Sequence, residues 1–322
     1  MLGSKPEICV LGAGVVGLST ALAILEDVPS VNVTVVADKF LSQTLSYGAG
    51  GFFRPEENIG PDRETIKRWA KCSYDRYSDL AINDPAFLKN NLVETIVTSS
   101  VRPLNDNERN ALFPERFKYG IFWTTIITDP RYYMPYLQQK IENHGGTIHQ
   151  RTIDSFESLL EWKYFDLIVN CTGLEASKLT DDHRLTPIRG QTFKVKAPWI
   201  RHFYFADGAY ILPGRDYVTL GGIKDYGNSN MAISELDRKS IWTRCVELVP
   251  SLEKAQVEFE WVGLRPQRQP VRVEMEKLCL FNNETTNIVH NYGHGGHGVT
   301  LSWGTAKDAA SMVCRSLFKS KL

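Results

Sequence analysis

Three glycines near the start of the chain are spaced as in a turn that binds a dinucleotide. Gly12, Gly14 and Gly17 follow a short apolar run in the order GxGxxG, and a helical pattern of apolar residues comes next. The following apolar run ends at Asp38, 21 positions after Gly17. The order strand, glycines, helix, strand and acid predicts a βαβ unit that binds a dinucleotide.

Each residue of this pattern has a predicted task at the phosphates or the ribose. Gly12 makes the tight turn, Gly14 lets the backbone approach a pyrophosphate, and Gly17 permits close packing of helix and strand. The helix N-terminus offers N–H groups and the positive end of its dipole to the phosphates. The Asp38 carboxylate can accept both hydroxyls of an adenosine ribose and would repel a 2′-phosphate.

A second GxGxxG pattern lies near the other end of the chain, at Gly293, Gly295 and Gly298. Only 24 residues follow Gly298, which leaves no room for another strand with its acidic residue. This strand, loop and helix are therefore predicted to return to the first nucleotide-binding unit and to meet the other end of the same cofactor. FAD is long enough to need that, and a helix N-terminus at its pyrimidine edge stabilises the reduced ring. We predict FAD without NAD.

Three histidines in and before this loop raise the question of a metal site. His290, His294 and His297 are separated by glycines, so a helical i,i+4 register is not expected. No Cys, Asp or Glu lies close by in the sequence to complete a set of ligands. We expect no metal here.

The apolar patterns predict an α/β protein with a Rossmann-like FAD-binding domain interleaved with an antiparallel-sheet substrate domain. Buried parallel strands are predicted at 8–11, 31–37, 166–170 and 287–291, and helices at 18–25, 69–80, 129–144 and 299–318. Strand-like, aromatic segments over 191–272 predict the antiparallel sheet. The FAD-binding domain is assigned to 1–55, 145–190 and 280–322, and the substrate and interface domain to 56–144 and 191–279, with some helices shared between them.

Charge and composition exclude several classes of protein. Lys plus Arg and Asp plus Glu both number 37, so the formal net charge is zero, without the basic excess of a general nucleic-acid or anionic-membrane binder. No run of about 18 apolar residues predicts a membrane span. The six cysteines are scattered without a CxxC pair, which is typical of a reducing compartment and argues against a thiol–disulfide reductase.

The last three residues, Ser320, Lys321 and Leu322, form a peroxisomal address that an import receptor reads. The N-terminal segment has neither the basic region nor the cleavage site of a secretory signal. We therefore expect the protein in the peroxisomal matrix.

Several motifs together resemble those of the D-amino-acid and D-aspartate oxidases. The segment IVHNYGHGGHG at 288–298, with Gly304 and Ala306 after it, is similar to the C-terminal signature of that family. The remaining similar segments follow the order of the family and are VLGAGVVGLSTALAI, VVADKF (35–40), VNCTG (169–173), PIRGQ (187–191), APW (197–199), YILPG (210–214), VTLGG (218–222) and GLRP (263–266). The resemblance covers essentially the whole chain.

The resemblance implies oxidative deamination of D-amino acids by an FAD-dependent enzyme. The Cα hydrogen would pass as hydride to flavin N5, and the imino acid would hydrolyse to a 2-oxo acid and ammonia. Dioxygen would reoxidise the flavin and give hydrogen peroxide, which agrees with a peroxisomal location. No side-chain acid or base is required if the substrate amine is neutral, so the protein would supply orientation and electrostatics. The resemblance is also compatible with a homodimer.

Matched residue by residue, the resemblance implies a substrate site around three residues. Arg265 would bind the substrate carboxylate with its two-pronged guanidinium, Tyr210 would add its hydroxyl, and Gly296 would offer its carbonyl oxygen to the amine. A buried arginine without a partner would otherwise be costly. Lys224, and Arg54 near the expected entrance, are further candidates for substrate binding.

The same matching implies which residues contact FAD. In the first turn they are Gly12, Ala13, Gly14, Val15, Val16 and Gly17, with Asp38 on the ribose and Lys39, Thr44 and Ser46 near the phosphates. Gly50, Gly51 and Phe52 would lie beside the isoalloxazine, and Ile153 and Cys171 near the adenosine. The residues over the pyrimidine edge would be Gly295, Gly296, His297, Gly298, Val299 and Thr300.

The side chain of the preferred substrate is left open between two branches of this family. Gly296 in HGGHG resembles the neutral branch, since the D-aspartate branch tends to have serine there, but Lys224 stands where the acidic branch carries arginine. We predict a neutral or broad preference, with D-aspartate or D-glutamate oxidation as the alternative. More distant alternatives are a glycine- or sarcosine-type amine oxidase and a nucleotide-binding protein without catalysis.

Overall fold

The computed structural model describes residues 4–84, 101–279 and 285–318, so the predicted address at 320–322 lies outside the described residues. These residues form thirteen strands and eight α-helices. The strands are β1 (Glu7–Leu11), β2 (Asn32–Ala37), β3 (Arg102–Pro103), β4 (Ile121–Phe122), β5 (Thr147–Gln150), β6 (Leu167–Asn170), β7 (Thr186–Lys196), β8 (Tyr204–Ala206), β9 (Ala209–Pro213), β10 (Val218–Gly221), β11 (Asp225–Tyr226), β12 (Gln256–Cys279) and β13 (Thr285–His294). The helices are α1 (Val15–Asp27), α2 (Arg63–Asn83), α3 (Asp106–Leu112), α4 (Pro130–Asn143), α5 (Phe156–Trp162), α6 (Ala176–Thr180), α7 (Glu235–Leu248) and α8 (Gly298–Phe318).

Eleven of the strands form one mixed sheet. Its parallel part has the order β5-β2-β1-β6-β13, and its antiparallel part continues through β12, β7, β10 and β9 to β8. Strand β11 pairs with β7 off this path, and β3 and β4 form a separate pair. The predicted α/β class, with a Rossmann-like part beside an antiparallel sheet, is confirmed.

The two glycine-rich loops lie in the same parallel part of the sheet. Strand β13 pairs with β6, with Ile288 opposite Ile168, and β6 pairs with β1, which leads into the first loop. Helix α8 packs against α1, and the Ser19 hydroxyl donates a hydrogen bond of 3.2 Å to the Ser302 hydroxyl. The strand, loop and helix at the end of the chain therefore return to the first nucleotide-binding unit, as the sequence predicted.

The prediction of strand-like structure throughout 191–272 is wrong over one segment. Residues Glu235–Leu248 form α7, which buries Ile241, Cys245 and Leu248 in the core of the antiparallel part. The Ser234 hydroxyl caps it by accepting a hydrogen bond of 3.2 Å from the Asp237 N–H. A capping serine followed by acidic residues is a helix-start signal that outweighs the β-branched and aromatic residues of the segment.

The other predicted helices are present, and two of them are several residues longer than predicted. Helices α1 and α2 begin and end outside the predicted 18–25 and 69–80. Helix α4 begins at Pro130, and the Asp129 carboxylate accepts a hydrogen bond of 3.0 Å from the Arg131 N–H, as the cap at the start of 129–144 predicted. Among the described residues, no helix has the length and apolarity to span a membrane.

Strand β12 joins the two parts of the sheet. It has 24 residues and pairs with β7 on one edge and with β13 on the other. The boundary predicted at 190–191 falls inside β7. One hydrogen-bonded sheet thus runs through both predicted domains, whose limits stay a prediction.

Candidate active site

The first glycine turn has the geometry that only glycines permit. Gly12 has φ of +100°, and a Cβ there would lie 2.5 Å from the Cys171 carbonyl oxygen. A Cβ at Gly17 would lie 1.9 Å from the Gly12 carbonyl oxygen, so α1 passes directly against the turn. The tight turn predicted at Gly12 and the close packing predicted at Gly17 are both present.

The start of α1 fits a phosphate group. Gly14 is the N-cap and supplies no side chain to the free N–H groups of the first turn. The Val15 N–H donates a hydrogen bond of 3.1 Å to the Ser46 hydroxyl, so Ser46 lies beside the helix N-terminus, and its contact with the phosphates stays a prediction. A bare backbone, a helix dipole and a hydroxyl within reach are the chemistry that a pyrophosphate needs. Ala13 and Val16 lie on the same turn.

The ribose end of the predicted FAD site lies where β2 ends. Asp38 follows β2 directly, and its half-exposed carboxylate lies 3.5 Å from the Lys39 ammonium. The Asp38 carbonyl oxygen accepts a hydrogen bond of 3.0 Å from the Gln150 side chain, which fixes the backbone while the carboxylate stays at the surface. Ile153 packs on the core cluster that contains Leu11, close to this strand end.

Two other predicted FAD contacts hold their side-chain groups inside the protein. The Thr44 hydroxyl donates to the Leu41 carbonyl oxygen at 2.7 Å, within a turn. The Cys171 thiol donates to the Thr20 hydroxyl at 3.8 Å, and burial raises the pKa of Cys171 to about 12. The backbone of Cys171, rather than its thiol, lies against the first glycine turn at Gly12. The contact of Thr44 with FAD stays a prediction.

The segment predicted beside the isoalloxazine is joined to the start of α8. Gly51 has φ of +68°, and a Cβ there would lie 2.0 Å from the Thr128 carbonyl oxygen. The Phe52 ring packs on Phe203 with centroids 4.6 Å apart, and the Thr300 hydroxyl donates to the Phe52 carbonyl oxygen at 3.4 Å. At Gly50, a Cβ would lie 2.7 Å from Leu212.

The loop that precedes α8 uses the backbone freedom of its glycines. Gly293 has φ of +91° and Gly295 has φ of +55°, and a tight turn over 295–297 then leads into α8 at Gly298. The buried Tyr77 hydroxyl donates a hydrogen bond of 2.6 Å to the Val299 carbonyl oxygen and so anchors the first turn of α8. Because the Thr300 hydroxyl donates to the Phe52 carbonyl oxygen, the first turn of α8 lies next to Phe52.

Arg265 is half-buried and has no carboxylate partner among the described residues. Its Nη1 donates a hydrogen bond of 3.0 Å to the Ile223 carbonyl oxygen, and its guanidinium lies against the bare backbone of Gly190. Two buried arginines nearby do have a carboxylate partner, since Arg189 pairs with Asp237 and Arg268 with Asp182. A half-buried guanidinium without a counter-charge is a site for an anion.

Tyr210 is placed beside this guanidinium. Its ring packs against the backbone of Gly221 and Gly222, where a Cβ would come within 2.1 Å and 2.6 Å of ring atoms. Burial raises the pKa of Tyr210, while the charge of Arg265 and a hydrogen bond with it act in the opposite direction. The neutral hydroxyl thus remains a donor next to the arginine.

Gly296 completes the group that the sequence predicted. A Cβ at Gly296 would lie 3.6 Å from Arg265 Cδ. Both residues line a cavity of about 320 Å³ that also contacts Lys224, Thr186 and Ile188. Arg265, Tyr210 and Gly296 are therefore brought together, although Tyr210 touches the arginine rather than the cavity wall.

Several residues of this cavity were absent from the predicted site. Gln267 and Gln269 line it because alternate residues of a strand share a face with Arg265, a period of two that the sequence displays. Glu56, which was not predicted, lines it together with His297, which was predicted only as an FAD contact, and the two are far apart in the sequence. No sequence signal connects that pair.

Arg54 and Lys224, both predicted as further substrate-binding residues, contact Glu56. Arg54 Nη2 lies 3.2 Å and Lys224 Nζ 3.8 Å from Glu56 Oε1, and His297 Nε2 lies 3.4 Å from Glu56 Oε2. The hydrogen bond from His297, with the charges of Lys224 and Arg54, lowers the pKa of Glu56 to about 2. Glu56 is therefore a carboxylate at every physiological pH.

The three histidines do not converge. His290 Nε2 lies 2.9 Å from Glu276 Oε2, and His294 Nε2 lies 3.0 Å from the Thr305 hydroxyl, whereas His297 faces Glu56. Burial lowers the pKa of His290 to about 4 and that of His294 to about 3. Within 4–84, 101–279 and 285–318, no three His, Cys, Asp or Glu side chains form a group that could hold a metal.

Comparison with protein families agrees with this geometry. The DAO model, described as FAD dependent oxidoreductase, matches residues 7–312. The chain belongs to this family. Because the DAO family is FAD-dependent, the prediction of FAD as the cofactor is confirmed. The first glycine turn and the N-termini of α1 and α8 are the features that would hold FAD.

Individual relatives align with nearly the whole chain. It is 35% identical over 327 residues to the D-aspartate oxidase of Homo sapiens, with 95% of this chain and 94% of the relative covered. It is 34% identical over 336 residues to the D-amino acid oxidase of Dugesia ryukyuensis, covering 98% and 100%. The solved glycine oxidase from Bacillus cereus ATCC 14579 has a TM-score of 0.74 at 16% identity, covers 96% and 95%, and shares the fold.

Proposed function

We propose that this protein is an FAD-dependent oxidase of D-amino acids with a neutral or broad side-chain preference. It would convert a D-amino acid, dioxygen and water into a 2-oxo acid, ammonia and hydrogen peroxide. The observation that carries the proposal is Arg265, a half-buried cation without a carboxylate partner among the described residues, with Tyr210 and Gly296 beside it. The names of the relatives in Homo sapiens and Dugesia ryukyuensis support the D-configuration.

Binding and orientation are the tasks of this chain's own residues. Arg265 would hold the substrate carboxylate through two N–H groups, and the Tyr210 hydroxyl would donate to the same carboxylate. The Gly296 carbonyl oxygen would accept from the amine and so fix the direction of the Cα hydrogen. When bound, FAD supplies the two-electron oxidant for the Cα–H bond and the reduced ring that reacts with dioxygen. Holding the substrate in one orientation is then the main contribution of the protein to the rate.

The position of Lys224 supports the preference for neutral side chains. This lysine would be the partner of a distal carboxylate, yet it faces Glu56 at 3.8 Å and its side chain is 62% exposed. A substrate carboxylate would have to compete with Glu56 for it. Neutral side chains meet no such competition.

Oxidation of D-aspartate or D-glutamate is the second candidate. The cavity beside Arg265 is lined by two further cations, Lys224 and Arg184, against one carboxylate, Glu56. This excess of positive charge favours a substrate with a second carboxylate.

A panel of D-amino acids tests both candidates. Peroxide release by the FAD-supplemented protein is measured with D-alanine, D-methionine, D-arginine, D-aspartate and D-glutamate. The proposal expects the highest kcat/KM for a neutral or basic member. The highest kcat/KM for an acidic member would support the second candidate, and no turnover of any member would contradict both.

We propose the peroxisomal matrix as the location, because Ser320, Lys321 and Leu322 form an import address and the reaction yields peroxide. Deleting these three residues is expected to leave the enzyme in the cytosol with its activity retained. Fluorescence microscopy of the full chain and of the deletion, each with an N-terminal fluorescent protein, measures the location. Peroxisomal fluorescence of the deleted form would overturn this part of the proposal.

A further inference from the structure

The carboxylate of Glu56 is the one negative charge on the wall of the cavity that holds Arg265 and Gly296, as far as the structure describes the chain. We propose that Glu56 sets the side-chain preference of the enzyme by neutralising the cations at this wall, so that it selects against a distal carboxylate and favours a distal cation. The inference rests on the proposed function, because it presumes that the cavity receives the side chain of an amino acid.

The position of Glu56 is fixed by its partners. His297 holds Oε2 at 3.4 Å and is itself held, since its Nδ1 lies 3.2 Å from the Arg54 carbonyl oxygen. Arg54 holds Oε1 at 3.2 Å while its guanidinium lies over the Phe205 ring, 4.3 Å from the centroid. Two carboxylate oxygens with separate partners leave the side chain little freedom to turn away from the cavity.

This arrangement connects Glu56 directly to the substrate site. His297 follows Gly296 in the chain, and Gly296 lies against Arg265. A substrate held by Arg265 at its α-carboxylate therefore has its side chain in a cavity whose wall includes Glu56, His297, Lys224 and Arg184. The distance from the α-carboxylate to a distal group then decides whether that group meets Glu56.

Charge at this wall has opposite effects on acidic and basic substrates. A distal carboxylate is repelled by Glu56 and finds Lys224 already facing that residue. A distal ammonium or guanidinium is attracted by Glu56 and can displace Lys224, whose loose contact at 3.8 Å is an exposed ion pair of low free energy. Binding sites commonly reject a competing ligand by placing a charge of the same sign next to it.

The substitution Glu56→Gln keeps the size of the side chain and removes its charge. We expect the ratio of kcat/KM for D-aspartate to that for D-alanine to rise about tenfold, and the ratio for D-arginine to D-alanine to fall about tenfold. The double variant Glu56→Gln with Lys224→Met should lose the gain for D-aspartate, because the lysine that was released is gone.

Glu57→Gln is the matched control. Glu57 is the next residue, has the same side chain and pairs with Arg63 at 2.8 Å, away from the cavity. It should leave both ratios unchanged. Ratios in Glu56→Gln that stay within twofold of wild type, with FAD still bound, would overturn the inference.

A binding measurement separates this inference from the proposed function. Succinate and butyrate have the same carbon chain and differ by one carboxylate, and their Kd values for the FAD-loaded protein can be measured by calorimetry. Glu56→Gln should tighten succinate about tenfold relative to butyrate. That shift in an enzyme that oxidises no D-amino acid would uphold the role of Glu56 and refute the proposed reaction. No shift in an active enzyme would refute only the role of Glu56.

Discussion

Replacing Arg265 with alanine is expected to lower kcat/KM for D-alanine by about two to three orders of magnitude while FAD stays bound. The guanidinium has no carboxylate partner among the described residues and lies beside Tyr210 and Gly296, so its free N–H groups are available to the substrate carboxylate. Steady-state kinetics measure the loss, and the flavin absorbance of the purified variant measures FAD content.

The size of this effect depends on the fork of the guanidinium as well as its charge. Arg265→Lys keeps the charge without the paired N–H groups and should recover only part of the activity. Arg63→Ala removes an exposed arginine whose partner is Glu57, and should change neither activity nor FAD content. Near-normal turnover of Arg265→Ala would show that the carboxylate binds elsewhere.

A second large effect is expected at the first glycine turn. Gly12→Ala would place a Cβ 2.5 Å from the Cys171 carbonyl oxygen at a φ of +100°, so the turn must move. Strain of this kind costs about 1–3 kcal/mol, and displacement of the turn removes backbone groups from the pyrophosphate. We expect FAD affinity to fall by at least about tenfold and the Tm to fall, as measured by flavin fluorescence and calorimetry.

Gly145 offers a matched control for this substitution. It also has positive φ, +82°, but a Cβ there would meet nothing within 4 Å. Gly145→Ala should cost about 1 kcal/mol through backbone strain alone and leave FAD affinity unchanged. Equal loss of FAD in both variants would mean that strain, rather than the contact at Gly12, is responsible.

Local patterns predicted the nucleotide-binding part of the fold. The roles of Gly12 and Gly17 follow from the backbone of a single turn, and Asp129 with Pro130 marks the start of α4, so a few consecutive residues are sufficient. Helix α7 was missed because its aromatic and β-branched residues suit a strand. Its capping Ser234 was the contrary signal.

Contacts between segments that are far apart in the chain could not be predicted from the sequence. That Arg268 has Asp182 as a partner, while Arg265 on the same strand has no carboxylate, depends on which loops pack beside β12. The contact of Glu56 with His297 likewise depends on the position of α8 relative to the segment after Phe52. Motif matching therefore predicted the group formed by Arg265, Tyr210 and Gly296, but not the charge of Glu56 beside it.

The proposed function is tested most directly by the configuration of the substrate and by the identity of the products. The FAD-loaded protein is incubated with D-alanine or with L-alanine, and pyruvate, ammonia and hydrogen peroxide are measured in the same samples. Equal amounts of all three products from D-alanine, and none from L-alanine, are the predicted result. Peroxide from sarcosine or glycine without any from D-alanine or other D-amino acids would contradict the proposed function and place the protein among amine oxidases of the same fold.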